Sequence, residues 1–252
     1  MSTRSWLDKP EVAADVFRVR SRRVNCYLVR DSSSLTLVDS GLPGHWAAIK
    51  NACKTLGLDV SAIEAVLLTH VHSDHAGSAE RARVEAAASI RLHPDDADLA
   101  DGRAHRRTER PVAAYLWRPA AVAALWELIA GGGLRMPALG SYSHVSHGEQ
   151  LEVPGRPTVI GLPGHTRGSV GFIVDDRDVC FSGDALVTLD LLTGHRGPRL
   201  LSRAFMEDSR QALTSLDRLA DLKAGTLLPG HGDPWHGSMT DAVEEARAAE
   251  IG

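Results

Sequence analysis

The sequence is poor in the features that mark secreted, membrane-bound or nucleic-acid-binding proteins. It has only three cysteines, Cys26, Cys53 and Cys180, scattered and outside any CxxC pair. A disulfide framework is therefore not expected, and a reducing, cytoplasmic compartment fits best. The cysteines read instead as small apolar residues of strands and a helix. No long hydrophobic run is present. The most apolar stretch, Val112 to Ala130, is interrupted by Arg118, Pro119 and Glu127, which is too broken for a membrane span. The first residues, MSTRSWLDKPEVAADVF, contain no apolar run of the signal-peptide kind. Excess positive charge is also missing. A formal charge of −4 argues against nucleic acid as the main partner, because phosphate binding needs clustered Lys and Arg. Only Arg103–Arg110 is locally basic.

What remains is an ordinary globular composition, 43% hydrophobic and 24% charged over 252 residues. Histidine is the exception. Twelve are present, about twice average usage for this length.

The pattern along the chain predicts two sheets with helices outside them. Val24–Arg30 and Leu35–Asp39 read as a hairpin around Asp31-Ser32-Ser33-Ser34. Pro43 opens a helix that Gly57 stops. Val66–Thr69 is a short buried strand, Ala76–Ala87 a helix and Ser89–His93 another strand. From Pro94 to about Gly140 the composition shifts to Ala, Arg and Trp, with a helix at Ala120–Ala130 ended by Gly131-Gly132-Gly133. So short a segment reads as an insertion or lid within one domain spanning 1–252. Strand signals return at His144–Val153, Thr158–Leu162, Val170–Val174 and Asp178–Ser182. Asp208 caps a helix carrying Leu213, Leu216 and Leu219 on one face. Thr226–Leu228 is a last strand and Thr240–Ala249 a last helix. Strands, mixed elements and strands again, with helices between, point to layered sheets rather than a simple alternating parallel sheet.

The chemistry concentrates in Thr69-His70-Val71-His72-Ser73-Asp74-His75-Ala76-Gly77. Four metal-competent side chains fall within six positions directly after an apolar strand. Imidazole and carboxylate suit zinc, iron or manganese. On extended backbone His70 and His72 project to one side. A turn into helix at Ser73 then sends Asp74 and His75 elsewhere, toward a second ion. Three further segments end an apolar strand in a Gly-containing turn that presents one ligand: Leu162-Pro163-Gly164-His165, Phe181-Ser182-Gly183-Asp184 and Leu228-Pro229-Gly230-His231.

In this HxHxDH motif and the His, Asp and His that follow in order, the sequence resembles the metallo-β-lactamase superfamily, from about Val16 to Trp235. The resemblance implies a four-layer αββα sandwich and a glyoxalase II- or lactonase-like metallohydrolase. His70, His72 and His165 would bind one ion and Asp74, His75 and His231 a second. Asp184 would bridge both, with Asp74 and Asp184 as the catalytic carboxylates. A water or hydroxide between two zinc ions, or iron or manganese in their place, would be the nucleophile. Asp39, in Val38-Asp39-Ser40-Gly41, is expected to support the site through hydrogen bonds. Of the remaining histidines, His195 and His236 follow ligands along the chain and are candidates to line the pocket. His45, His93, His105, His144 and His147 have no partner at ligand spacing.

Differences from known branches narrow the expectation. Secreted β-lactamases of this fold lack the bridging Asp, and flavodiiron proteins place Glu at the position of His72. Glyoxalase II carries a long helical carboxy-terminal domain where this chain has 21 residues after His231 (252 − 231). Mononuclear iron persulfide dioxygenases share the first motif, but their Gly-Cys-Gly-Arg stretch is replaced here by Thr193-Gly194-His195-Arg196-Gly197. A hydrolase of an ester, lactone or thioester is thus the leading expectation. The alternatives are a persulfide dioxygenase-like oxidoreductase, a phosphodiesterase or nuclease, and a metal-bearing scaffold without turnover. The expected partner is a mainly neutral, partly apolar small molecule, held under the 94–140 segment by Tyr115, Leu116, Trp117, Val122, Leu125, Trp126, Leu128, Ile129 and Met136. The same apolar residues alternatively form a homodimer contact.

Overall fold

The computed structural model describes residues 11–249 and 251–252. The amino-terminal stretch read above for a leader lies, up to Pro10, outside the described residues. A seven-stranded sheet runs in chain order through β1 (Glu11–Ala13), β2 (Val16–Ser21), β3 (Val24–Asp31), β4 (Ser34–Val38), β5 (Ile63–Leu67), β6 (Ser89–Leu92) and β7 (Ser143–His144). The first three pairings are antiparallel and the last three parallel. The second sheet contains β8 (Thr158–Gly161), β9 (Val170–Val174) and β10 (Val179–Gly183). A separate ribbon of β11 (Val187–Leu189) and β12 (Arg196–Arg199) follows, and then β13 (Thr226–Pro229) and β14 (Trp235–His236) complete the second sheet in the order β14-β13-β10-β9-β8.

Alternation along the strands builds three apolar layers. In β3, Cys26 and Leu28 face outward onto α1 (Trp46–Thr55), while Tyr27 and Val29 face the other sheet. Neighbouring residues of a strand point to opposite faces, so one run of apolar residues feeds two cores. The inter-sheet core joins Tyr27, Val38, Leu67, Val159, Phe172, Phe181 and Leu228. The outer face of the first sheet packs on α1 and on α3 (Ala79–Ala86), which follows the single turn α2 (Ser73–Ala76). The outer face of the second sheet packs on α6 (Ser209–Ser215), α7 (Asp217–Ala220) and α8 (Met239–Ala248) through Leu216, Leu219, Val243 and Ala246. Between these helices, α4 (Ala97–Ala100) and α5 (Pro119–Ala130) belong to the 94–140 segment. Helix, sheet, sheet and helix make the four-layer αββα sandwich. Full burial of a side chain such as Phe172 is worth about 1.5–3 kcal/mol, so the three layers dominate the stability. The three cysteines are buried and unpaired, and burial pushes the Cys53 thiol up to about 11 and Cys180 to about 12. No helix among the described residues is long and apolar enough to cross a membrane.

Two expected elements differ. Of the expected strand His144–Val153 only His144 falls in a paired strand, the two-residue Ser143–His144, and Gln150 makes an isolated bridge to Thr158. Val145, Leu151 and Val153 all bury in the inter-sheet core, so their apolar spacing records packing without a ladder. The expected Ala76–Ala87 helix breaks at Gly77-Ser78, where the chain passes close against Pro43.

Candidate metal centre

Four loops at the carboxyl ends of strands meet at one edge of the two sheets. His70, His72, Asp74 and His75 lie between β5 and the end of α2. His165 lies between β8 and β9, Asp184 directly follows β10, and His231 follows β13. In sheets with parallel neighbours the strand ends open a crevice, and side chains from separate loops converge there. Glycine allows the close approach: a side chain at Gly230 would collide with Asp184 and His75.

All seven expected ligands come together. Three groups each gather their ligand atoms within 4.8 Å of one another: His70, His72 and His165; His70, His75 and Asp184; Asp74, His75 and His231. His165 Nε2 is 3.1 Å from His70 Nε2 and 2.9 Å from His72 Nδ1. His75 Nε2 is 3.4 Å from His231 Nε2. His231 Nδ1 donates to Arg23 O at 2.7 Å, and His75 Nδ1 sits 2.8 Å from Asp39 Oδ2. These outer bonds fix the rings so that both Nε2 lone pairs aim inward. Lone pairs facing one another at such distances repel unless a cation or proton lies between them. Asp184 Oδ1 and His165 Nδ1 are buried with no hydrogen-bond partner among the described residues. A nitrogen and carboxylate set of this kind, without thiolate, fits zinc, iron or manganese.

The two sets differ electrically. Burial holds His70, His72 and His165 well below the ordinary imidazole value, with neighbouring histidines adding to it at all three and Arg106 at His72 and His165. Burial alone would also lower His75 and His231 and raise Asp74 and Asp184. Mutual attraction wins there: His75 is raised, His231 is raised to about 10, and both carboxylates are lowered. The first set therefore offers neutral imidazoles at pH 7, whereas an ion entering the second must displace protons. A group that must lose a proton to bind metal binds better as pH rises. Chelator-stripped protein titrated with zinc between pH 6 and 8 should show a nearly flat affinity at one site. The other should gain about tenfold per pH unit for each proton released. Calorimetry in buffers of different ionisation heat counts those protons; equal pH slopes at both sites would contradict the asymmetry.

A match to the model of the metallo-beta-lactamase superfamily covers residues 19–231. The chain belongs to the metallo-β-lactamase superfamily. Among superfamily relatives, the uncharacterized protein YobT of Bacillus subtilis is 29% identical over 216 residues, covering 83% of each chain. The probable metallo-hydrolase YflN of the same organism is 26% identical over 242 residues, covering 90% of this chain and 87% of its own. A solved metallo-beta-lactamase family protein from Thermus thermophilus is 26% identical with a TM-score of 0.66, covering 93% of this chain and 78% of that one. A B3 metallo-beta-lactamase with an active-site glutamic acid shares the fold at 22% identity and a TM-score of 0.69, covering 96% and 90%.

Around this superfamily site, three supporting residues bind the ligand loops. Asp39, expected from the sequence, accepts from Thr69 N at 2.8 Å and faces the Thr69 hydroxyl as well as His75. Asp96 and Asn25 were not expected. The buried Asp96 carboxylate accepts from Val71 N, Thr166 Oγ1 and Gly168 N, tying the first motif to the His165 loop. Asn25 Nδ2 donates to Pro229 O and Gly232 O, bracketing His231. The only sequence signals were a buried acid after a strand and a lone Asn inside an apolar one.

A cavity of about 680 Å³ opens over the site, with His72 and Asp74 in its wall. The 94–140 segment roofs it and is pinned on both sides. Glu127 pairs with Arg23 at 3.0 Å, Gly44 N donates to Gly131 O, and Glu109 accepts from Ser209 N at 2.8 Å. Only three of the nine residues expected to line it do so. Leu125, Leu128 and Met136 do line the cavity. Trp117 (75% exposed), Trp126 (64%), Val122, Ile129 and Leu116 instead face outward, and Tyr115 is buried against Ala121, Leu192 and Ala204. Helix α5 is apolar on both sides, and its small Ala121 and Ala124 allow the inner side to approach the body closely. His195, directly before β12, and His236, on β14, are exposed and do not line this cavity; His105 lines it instead. Among the remaining histidines, His45 Nδ1 accepts from Leu42 N, and burial lowers that ring to about 4.

Proposed function

We propose that this chain is a hydrolase with a dinuclear metal centre, zinc first and iron or manganese as alternatives, acting on a small-molecule ester, lactone or thioester. The supporting observation is the position of one carboxylate. Asp184 Oδ2 lies 3.2 Å from His231 Nε2, 3.5 Å from His165 Nε2 and 4.0 Å from His70 Nε2, so it faces both histidine sets at once. His70, His72 and His165 would hold one ion, and Asp74, His75 and His231 the other. When bound, such a pair supplies Lewis acidity toward a carbonyl oxygen and lowers the pKa of water to about 7. The chain's own residues do the rest. Asp39 and Arg23 O orient His75 and His231, and Asp184 keeps the two sets together. Asp74, the carboxylate in the cavity wall, would orient a proton of the attacking water. Apolar Val24, Leu42, Leu125 and Leu128 exclude bulk water from the reacting centre.

A bounded apolar cavity favours a small molecule over nucleic acid. Three buried, unpaired cysteines support a cytoplasmic setting.

Elemental analysis of protein prepared without chelator should give about two metal ions per chain, together with turnover on a panel of esters, lactones and thioesters. One iron per chain with oxygen consumption on persulfides would replace this reading with a dioxygenase. Turnover confined to phosphodiesters would replace it with a phosphodiesterase.

The inner face of α5 carries a second expectation. Each acyl methylene buried is worth about 0.8 kcal/mol, so each added carbon should raise kcat/KM by up to about fourfold until the cavity is full. Leu128→Ala and Leu125→Ala should shift the chain length at which the gain stops, and Trp126→Ala should not. If Trp126→Ala moves that limit while Leu128→Ala leaves it unchanged, the roof presents its other face in solution. Loss of a dimer on Trp126→Ala would assign the outer stripe to a subunit contact.

A further inference from the structure

Of the arginines in the basic stretch Arg103–Arg110, one lines the cavity, next to His105. Three arginines of the chain do so: Arg23, Arg106 and Arg135. Arg23 is already matched, by Glu127 at 3.0 Å. Arg103, nearby, is matched by Asp98 and Asp101. Arg106 and Arg135 have no carboxylate within ion-pair distance among the described residues. Of these two, only Arg106 is held in place. Its Nη2 donates to Ala204 O at 2.7 Å, and its guanidinium stacks 4.4 Å from the centre of the Phe205 ring.

This arrangement leaves a positioned cation with unused donors on the wall of a mainly apolar cavity. A guanidinium has five N–H donors in a planar fork that matches a carboxylate, and one bond to a backbone carbonyl uses a single donor. Arg106 is exposed, but stacking on an aromatic face removes much of the freedom that an unstacked arginine would lose on binding. The same cavity wall carries His72 and Asp74 from the metal cluster and the apolar side chains of Val112, Leu125, Leu192 and Phe205. A ligand that satisfies every part of this wall carries a hydrolysable group, an apolar portion and an anion.

We propose that Arg106 is the specificity-determining residue of this cavity, and that the substrate is an ester, lactone or thioester carrying a carboxylate across an apolar spacer from the scissile bond. This rests on the hydrolase reading above and replaces the neutral substrate that the apolar roof alone suggests. The carboxylate recognises Arg106 through paired N–H···O bonds, and the spacer lies along Leu125 and Leu192. Arg106 does not touch the reacting atoms, so its effect is on which substrates are selected.

A matched pair of substrates tests it on the metal-loaded protein: the nitrophenyl ester of hexanoic acid and the mono-nitrophenyl ester of adipic acid, which differ by a terminal carboxylate. Wild type should favour the adipate ester in kcat/KM by roughly tenfold or more, the range of a charge-assisted hydrogen bond. Arg106→Met should abolish that ratio, Arg106→Lys should keep part of it, and Arg135→Met should keep it whole. A wild-type ratio near one, or a ratio lost in Arg135→Met and kept in Arg106→Met, overturns the assignment. If neither ester is turned over, the hydrolase reading fails first and binding decides the rest. Calorimetry with octanesulfonate, an anion that ligates metals weakly, should then show at least tenfold tighter binding to wild type than to Arg106→Met. Equal affinity overturns the proposal.

Discussion

Asp184→Ala should lower turnover by more than 100-fold and reduce the metal content from the proposed two ions per chain toward one. The reason is that one carboxylate faces both sets, lying 3.2 Å from His231 and 3.5 Å from His165. Replacing a group that only orients a ligand costs about 10–100-fold, and removing a ligand shared by two ions should exceed that. The loss should fall on the second set first. His75 and His231 owe their raised proton affinity partly to Asp184, so without it the set keeps less negative charge to attract a cation. The fold should survive, because Asp184 lies beyond the last residue of β10 and the inter-sheet core does not include it. Elemental analysis, kcat on whichever ester is the best substrate, and a thermal melt check these three statements together. Near-full activity in Asp184→Ala would remove the shared role.

Asp96→Ala should cost both stability and metal affinity, although Asp96 belongs to neither set. Its carboxylate accepts from Val71 N at 2.9 Å, Gly168 N at 3.1 Å and Thr166 Oγ1 at 3.0 Å. The Thr166 hydroxyl has a second partner in Ser169 Oγ, so the substitution strands two buried backbone N–H groups. A buried donor left unmade costs roughly 1–3 kcal/mol, so the variant should lose at least about 2 kcal/mol of unfolding free energy. The same bonds join the loop carrying His70 and His72 to the loop carrying His165. Their loss should weaken zinc at that set by about 10–100-fold, the usual range for a residue that orients ligands. Denaturant unfolding and competition with a zinc chelator measure the two effects. A stability within about 0.5 kcal/mol of wild type would show that the loops hold their places without Asp96.

Much of the centre was legible in the residues because each ligand follows an apolar strand directly. Val66-Leu67-Leu68 leads into His70, Leu162-Pro163-Gly164 into His165, and Leu227-Leu228-Pro229-Gly230 into His231. A ligand at the end of a buried strand has its position set by the sheet, so local sequence order carried three-dimensional information. Asp39 was legible for the same reason, standing at the end of β4. The layered architecture followed from runs such as Val24–Arg30, whose alternate residues serve two cores.

What local sequence could not decide was which of two equivalent faces turns inward, and which distant residues brace a loop. Along α5, Ala121, Leu125 and Leu128 read as apolar as Val122, Trp126 and Ile129, and the sequence placed residues of both faces in the cavity. The body chose the side of Leu125 and Leu128, because the small alanines let the helix close down on Leu42 and Leu192 while Arg23 held Glu127. Asp96 and Asn25 carry no motif, since their work is to accept or donate across loops that the chain brings together from 25 to 70 to more than 200 residues away. The candidate ligands were legible from the chemistry that each residue brings alone. The roof, its cation at Arg106 and the braces beneath the ligands exist only where segments remote in the chain meet, and packing decided those.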